Sequence, residues 1–134
     1  MSLPVDEAEV LTAFLLAQSD LTGVVGDNIL GPGGDLDSIR QAVTFEGAGG
    51  TPHRLKEIGE CSFLFKCWGS TPVEAKEVYR ALYLSLHQKT NEPVGAHVIL
   101  SARMETGGQT LRDPDTPRGQ NWYYVPAIYR VKIR

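Results

Sequence analysis

The stretch Arg112-Asp113-Pro114-Asp115-Thr116-Pro117-Arg118-Gly119-Gln120 places two carboxylates two residues apart, with an arginine on either side. Two acids so close are the raw material of general acid and base catalysis, in which one must stay protonated near neutral pH while the other ionises. That division needs an apolar pocket around one of them. Here Pro114 stands between the acids and Arg112 and Arg118 flank them, so both carboxylates are expected to be ionised, solvated or paired. Three uses stay open for the segment: acid/base chemistry, an ordinary solvated hairpin loop, or a loop that recognises a partner. Pro114 and Pro117 stiffen the backbone, Asp and Arg offer directional charged hydrogen bonds, and Trp122, just beyond, is of the residue type most enriched at contact hot spots.

Other chemistry finds less support. His53, His87 and His97 fall in an expected loop, helix end and strand, and neither CxxC nor HExxH occurs, so no metal site is expected. The glycines of GPGG and GAGG do not end in the Lys and Ser/Thr of a Walker loop, nor do they match a dinucleotide fingerprint, so no cofactor is expected either. GxSxG is missing as well. Cys61 and Cys67 lie six residues apart in what reads as one strand, about 20 Å between Cα atoms, too far for a disulfide. Both are expected to be reduced, small and apolar. These residues point to a protein that is not an enzyme.

A chain of 134 residues fits one domain, residues 1–134, able to bury roughly two-thirds of its unfolded surface. Its formal charge of −3, from 13 basic and 16 acidic residues, gives no long-range pull on phosphate backbones or anionic lipid. Neither a membrane nor sequence-specific nucleic acid is an expected partner. There is no basic region followed by an apolar run at the start, and no apolar stretch near the roughly 18 residues of a membrane span, so a soluble, cytoplasmically made protein is expected.

The elements that must position these residues follow from periodicity. Val10, Leu11, Phe14 and Leu15 recur at helical spacing within Val5–Gln18, behind the acids Asp6, Glu7 and Glu9. GVVGDNILGPGGDLD is too rich in glycine for helix or sheet to run far and reads as a structured loop with a flexible tip around Gly31 to Asp35. QAVTFEG reads as a strand and GAGGTPHRLKEIG as a second loop. ECSFLFKCW is the clearest strand, with Cys61, Phe63, Phe65 and Cys67 on one face and Ser62, Leu64, Lys66 and Trp68 on the other. Thr71, Pro72 and Glu74 spell a capping box ahead of a helix with the stripe Ala75, Val78, Tyr79, Leu82 and Leu86. HVILSARMET puts Val98, Leu100, Ala102 and Met104 on one face of a third strand. The last strand sets Tyr123, Val125, Ala127, Tyr129, Val131 and Ile133 against Arg130, Lys132 and Arg134, with Pro126 predicting a bulge or an edge. Helix, strand, strand, helix, strand, strand predicts an α+β fold: a four-stranded, mostly antiparallel sheet with two helices packed on one face. Phe63, Phe65, Val78, Leu82 and Val131 are expected in the core.

With the elements placed, the chain resembles the tail-completion or tail-terminator proteins of long-tailed bacteriophages. The resemblance rests on the first helix followed by LTGVVGDNIL, the strand FLFKCWGST running into VEAKEVYRALYLSL, the segment LRDPDTPRGQNW and the ending YYVPAIYRVKIR. It implies a structural virion protein that forms a ring, usually a hexamer, caps the tail tube, ends its polymerisation and joins the tail to the head connector. The implied partners are further copies of the chain, the tail tube protein and the head–tail connector protein. The implied place is the head-proximal end of the virion tail, after assembly in the host cytoplasm. A connector or minor tail subunit, and a small enzyme or ligand-binding domain, stay open as alternatives. For contacts with a neighbouring subunit or the tube, the candidate residues are Arg112, Asp113, Asp115, Arg118, Trp122 and Trp68, the last on a face expected to be exposed.

Overall fold

The computed structural model describes residues 7–26, 28–30, 41–52, 59–113 and 122–134. In chain order they form α1 (Glu7–Leu16), α2 (Ser19–Val25), β1 (Ile29–Leu30), β2 (Ala42–Pro52), β3 (Gly59–Gly69), α3 (Pro72–Leu86), β4 (Lys89–Val94), β5 (His97–Gly107), β6 (Leu111–Asp113) and β7 (Trp122–Ile133). The strands make one sheet in the order β1-β2-β3-β7-β5-β4, with β6 also beside β7. Every pairing is antiparallel except the two-residue contact of β1 with β2. The fold is α+β. The expected four strands and two helices are overturned by seven strands and three helices among the described residues.

Each difference has a local cause. β2 runs on through Gly47-Ala48-Gly49-Gly50-Thr51-Pro52, expected as loop, because β3 offers a partner as far as Pro52↔Gly59 and a bulge between Gly47 and Gly49 absorbs the irregularity. α2 runs into the start of the glycine-rich segment because Leu21 and Val25 reach the core, and the Gly26 N–H closes the helix on the Thr22 carbonyl at a φ of 64° that suits glycine. The two short helices meet at 83°. β4 and β6 are short strands with weak alternation that exist because β5 and β7 supply ladders for them. The expected tip at Gly31–Asp35 lies outside the described residues.

One apolar layer joins sheet and helices. Phe63, Phe65 and Cys67 of β3 face the same side as Val125, Tyr129, Val131 and Ile133 of β7, and α1, α2 and α3 close over them with Leu11, Leu15, Leu21, Val78, Leu82 and Leu86. All five expected core residues are buried. Phe45 stacks on Phe65 at 5.2 Å between ring centroids, and Tyr129 meets Phe65 edge-on at 5.4 Å. In β5 the predicted face slips by one residue: a register shift between Ile99 and Ser101 turns Ile99 to the core in place of Leu100. β7 is the middle strand, not an edge. Pro126 fits there because β5 stops at Gly107↔Ala127 and β6 resumes at Leu111↔Tyr124, so the gap in the ladder falls beside it.

The turn from β3 into α3 is tightly specified. Thr71 Oγ1 accepts the Glu74 N–H at 3.2 Å, and the Glu74 carboxylate accepts from the Ser70 N–H at 3.3 Å and the Ser70 hydroxyl at 2.7 Å, a capping box reaching back one residue further than usual. A Cβ on Gly69 would collide with the Ala75 nitrogen and lie 2.8 Å from Glu74 Cβ. At the other end of α3, His87 Nδ1 accepts the Met104 N–H at 3.1 Å and ties the helix to β5.

Two stability outcomes follow from these contacts. Gly69→Ala should cost about 2–3 kcal/mol, since backbone must move to admit the methyl group, measured by urea denaturation. Tyr129→Phe should raise stability by about 1 kcal/mol, because the Tyr129 hydroxyl is buried without a hydrogen-bond partner; a lower denaturation midpoint would contradict it.

Candidate functional site

The face of the sheet turned away from the helices carries a second aromatic cluster. β3 and β7 are in register at Trp68↔Tyr124, and Trp122 lies two residues earlier on the same face. Trp68 packs against Tyr124 at 4.9 Å between centroids and meets Trp122 edge-on at 6.4 Å. The ammonium of Lys66 stands 5.2 Å from the Tyr124 ring and 5.9 Å from Trp68, within cation–π range. Trp68 Nε1 donates to Thr44 Oγ1 at 2.9 Å, so the indole's one polar atom is satisfied inside the sheet.

This arrangement corrects one expectation. Trp68 is 7% exposed, not a surface anchor, because Tyr124, Trp122 and Ala42 surround it. Trp122 and Tyr124 stay half-buried and form the accessible rim. Of the segment around the paired acids, the first three residues are strand: Leu111↔Tyr124, Arg112↔Tyr123 and Asp113↔Trp122. Alternation then sets Arg112 on the helix side and the Asp113 position on the side of Trp122. Among the described candidates, Arg112 is therefore on the opposite face from Trp68 and Trp122. Asp115 and Arg118 lie outside the described residues.

The buried titratable groups are held in their neutral forms. Burial pushes the Cys67 thiol far up, and Tyr129 likewise, with the nearby Cys67, Tyr79 and Tyr83 adding to it. Half-buried Cys61 is raised by burial and then by Glu7 of α1. Both cysteines are free and point toward the helix layer, as the strand reading required. A thiol in that condition is a poor nucleophile. Among the described residues no group of three His, Cys, Asp or Glu could hold a metal ion.

The chain shares its fold with a component of a virion. Over 98% of both chains it superposes on a chain from the virion of the native gene transfer agent (GTA) particle, with a TM-score of 0.67 and 14% sequence identity. At that identity the likeness is one of fold. No protein-family model matches the sequence, and no curated protein does.

Sequence reasoning missed how the aromatic cluster assembles, though its signal was present. Lys66 and Trp68, and Trp122 and Tyr124, are spaced by two, so each pair shares a strand face, and only the β3–β7 register was needed to join them. The sheet's outer face also carries Arg103, Arg130 and Lys132, with Glu105 accepting from the Ser62 hydroxyl at 2.8 Å and pairing with Arg130 at 3.4 Å.

The two tryptophans should separate fold from surface. Trp68→Ala should lower stability by about 3–5 kcal/mol, as for other buried aromatics. Trp122→Ala should cost only about 1 kcal/mol, the worth of one edge-on ring pair, and leave the far-UV circular dichroism unchanged. Equal stability losses would mean that Trp122 is simply part of the core.

Proposed function

We propose that this protein is a structural component of a tailed phage-like particle, and more narrowly that it forms the ring that closes the head-proximal end of the tail tube. The observation that carries this is the whole-chain correspondence of fold with a chain of the GTA virion, 98% of each chain. The motifs at LTGVVGDNIL, FLFKCWGST and LRDPDTPRGQNW support the narrower role by their resemblance to tail terminators.

The geometry suits such a part. β7 pairs with β3 along its length and with β6 at its start, so the chain leaves the sheet after Pro52 in the row of Ile133 and after Asp113 beside Trp122. The two ends are about 35 Å apart along the strand. A subunit whose connections leave from opposite ends of the sheet can meet one structure below and another above. Exposed Val73 and Leu84 on α3, at 74% and 63%, add apolar surface for contacts between subunits. In this reading the protein stops tube growth by geometry, covering the last tube ring and presenting a different surface to the connector.

Deleting the gene in a strain that produces the particle should give overlong tails in electron micrographs, and expression in trans should restore their length. Tailless heads would assign the chain to the connector instead. Normal particles would overturn both roles.

A further inference from the structure

The sheet face that the helices leave open is apolar over its middle rows. Leu64 and Ile128 are register partners across β3 and β7, followed by Lys66 with Pro126 and by Trp68 with Tyr124. Leu111 of β6 lies beside Tyr124 on the same face and is 40% exposed. Leu64, Ile128, Pro126 and Tyr124 are half-buried. Lys66 is the one charge that β3 and β7 carry in these rows, with Glu46 of β2 at the margin beside Leu64.

α3 presents an uncovered surface on the opposite side of the molecule. Its buried residues Ala75, Val78, Leu82 and Leu86 face the sheet, which turns Val73, Glu77, Arg80 and Leu84 outward in one stripe at helical spacing. Val73 is 74% exposed and Leu84 63%. An apolar group thus stands at each end of the stripe with charge between them, the same pattern that the sheet rows show. Among the described residues neither Lys66 nor Glu77 has an ion-pair partner; Lys66 lies over the rings of Tyr124 and Trp68.

Spacing relates the two surfaces. Glu77 is about 6 Å along the helix from Val73, and Leu84 is about 10 Å further on. On the sheet, Lys66 is about 7 Å along the strand from Leu64; Trp68 is about 7 Å beyond it and Trp122 about 13 Å. With Glu77 set over Lys66, Val73 falls on Leu64 and Ile128, and Leu84 falls between Trp68 and Trp122 at the aromatic rim. Turned end for end, the helix would carry Leu84 past Leu64 toward the polar row of Ser62 and Arg130. Only the first direction matches apolar to apolar at both ends.

We infer that the outward stripe of α3 packs along the open sheet face of a second copy of this chain, with Glu77 over Lys66 and Leu84 at the aromatic rim. The two surfaces lie on opposite sides of one sheet, so they meet only between copies. A contact between different surfaces is heterologous, and it closes into a ring when the rotation per subunit permits. The apolar ends supply the attraction, and the exposed ion pair fixes direction and register. The neighbour's helix gives the sheet the second covering layer that its apolar rows lack. The inference rests on the ring-forming reading above and supplies its subunit interface.

Blocking one surface at a time tests this with the full chain in sedimentation velocity. The wild type should assemble, alone or on tail tubes. Leu84→Asp blocks the helix and Leu111→Asp the sheet, both at exposed positions; each should weaken assembly about tenfold or more, with unchanged circular dichroism. An equimolar mixture of the two should form dimers that grow no further, since each chain keeps the surface the other has lost. Those dimers also show that both variants are folded. Lys66→Glu should weaken assembly about threefold or more by setting two acids together, and adding Glu77→Lys to the same chain should restore it. If the wild type assembles and Leu84→Asp and Leu111→Asp assemble equally well, this interface is wrong while the ring-forming reading stands. Leu84→Asp chains that still pair while Leu111→Asp chains do not would mean that sheet faces meet each other, which also overturns it. A wild type that stays monomeric with and without tail tubes removes both readings.

Discussion

Eleven consecutive residue pairs join β3 to β7, and the rest of the molecule is arranged around that ladder. Because strand side chains alternate, a single register decides two surfaces together. It brings Phe63 and Phe65 beside Tyr129 and Ala127 on the face the helices cover, and it brings Trp68 beside Tyr124 on the face they leave open. A slip of one residue would exchange the core for the rim. The ladder is well defended against such a slip: Phe65 stacks on Phe45 and meets Tyr129 edge-on, while Trp68 is hydrogen-bonded to Thr44 on the opposite face.

Much of this order was legible in the chain because it rests on short-range rules. The faces of β3 and β7 follow from period-two alternation, and the start of α3 follows from Thr71, Pro72 and Glu74. What was not legible depends on partners distant in sequence. Gly47 to Pro52 has no intrinsic preference for a strand and becomes one only where β3 lies alongside it. Leu100 is apolar and in step with Val98 and Ala102, yet a bulge against β7 hands its place in the core to Ile99. Trp68 looked like a surface residue because its strand neighbours Lys66 and Ser62 are polar; its burial is supplied by β7, some fifty residues further on. The paired acids of the opening motif were the most conspicuous chemistry in the sequence, and strand alternation separates Arg112 from the Asp113 position.

The fold shared with a GTA virion chain at 14% identity shows how little of this surface is prescribed by the architecture. A sheet with helices on one side leaves the other side free to vary, and in this chain that side holds an aromatic rim at one end and a cluster of both charges toward the other. The helix layer carries both acids and bases, such as Glu9, Lys76 and Arg80, and isolated apolar residues such as Leu16 and Leu84.

The long central strands also have a mechanical meaning. The last β2–β3 pair stands at one end of the β3–β7 ladder and the β6–β7 pairs at the other, so a pull applied between those ends runs parallel to the strands. The eleven β3–β7 pairs would then be loaded in shear and would have to yield together, whereas a pull across the strands would peel them one at a time. The same ladder that sets the core and the rim makes the sheet stiffest along the line joining its two ends.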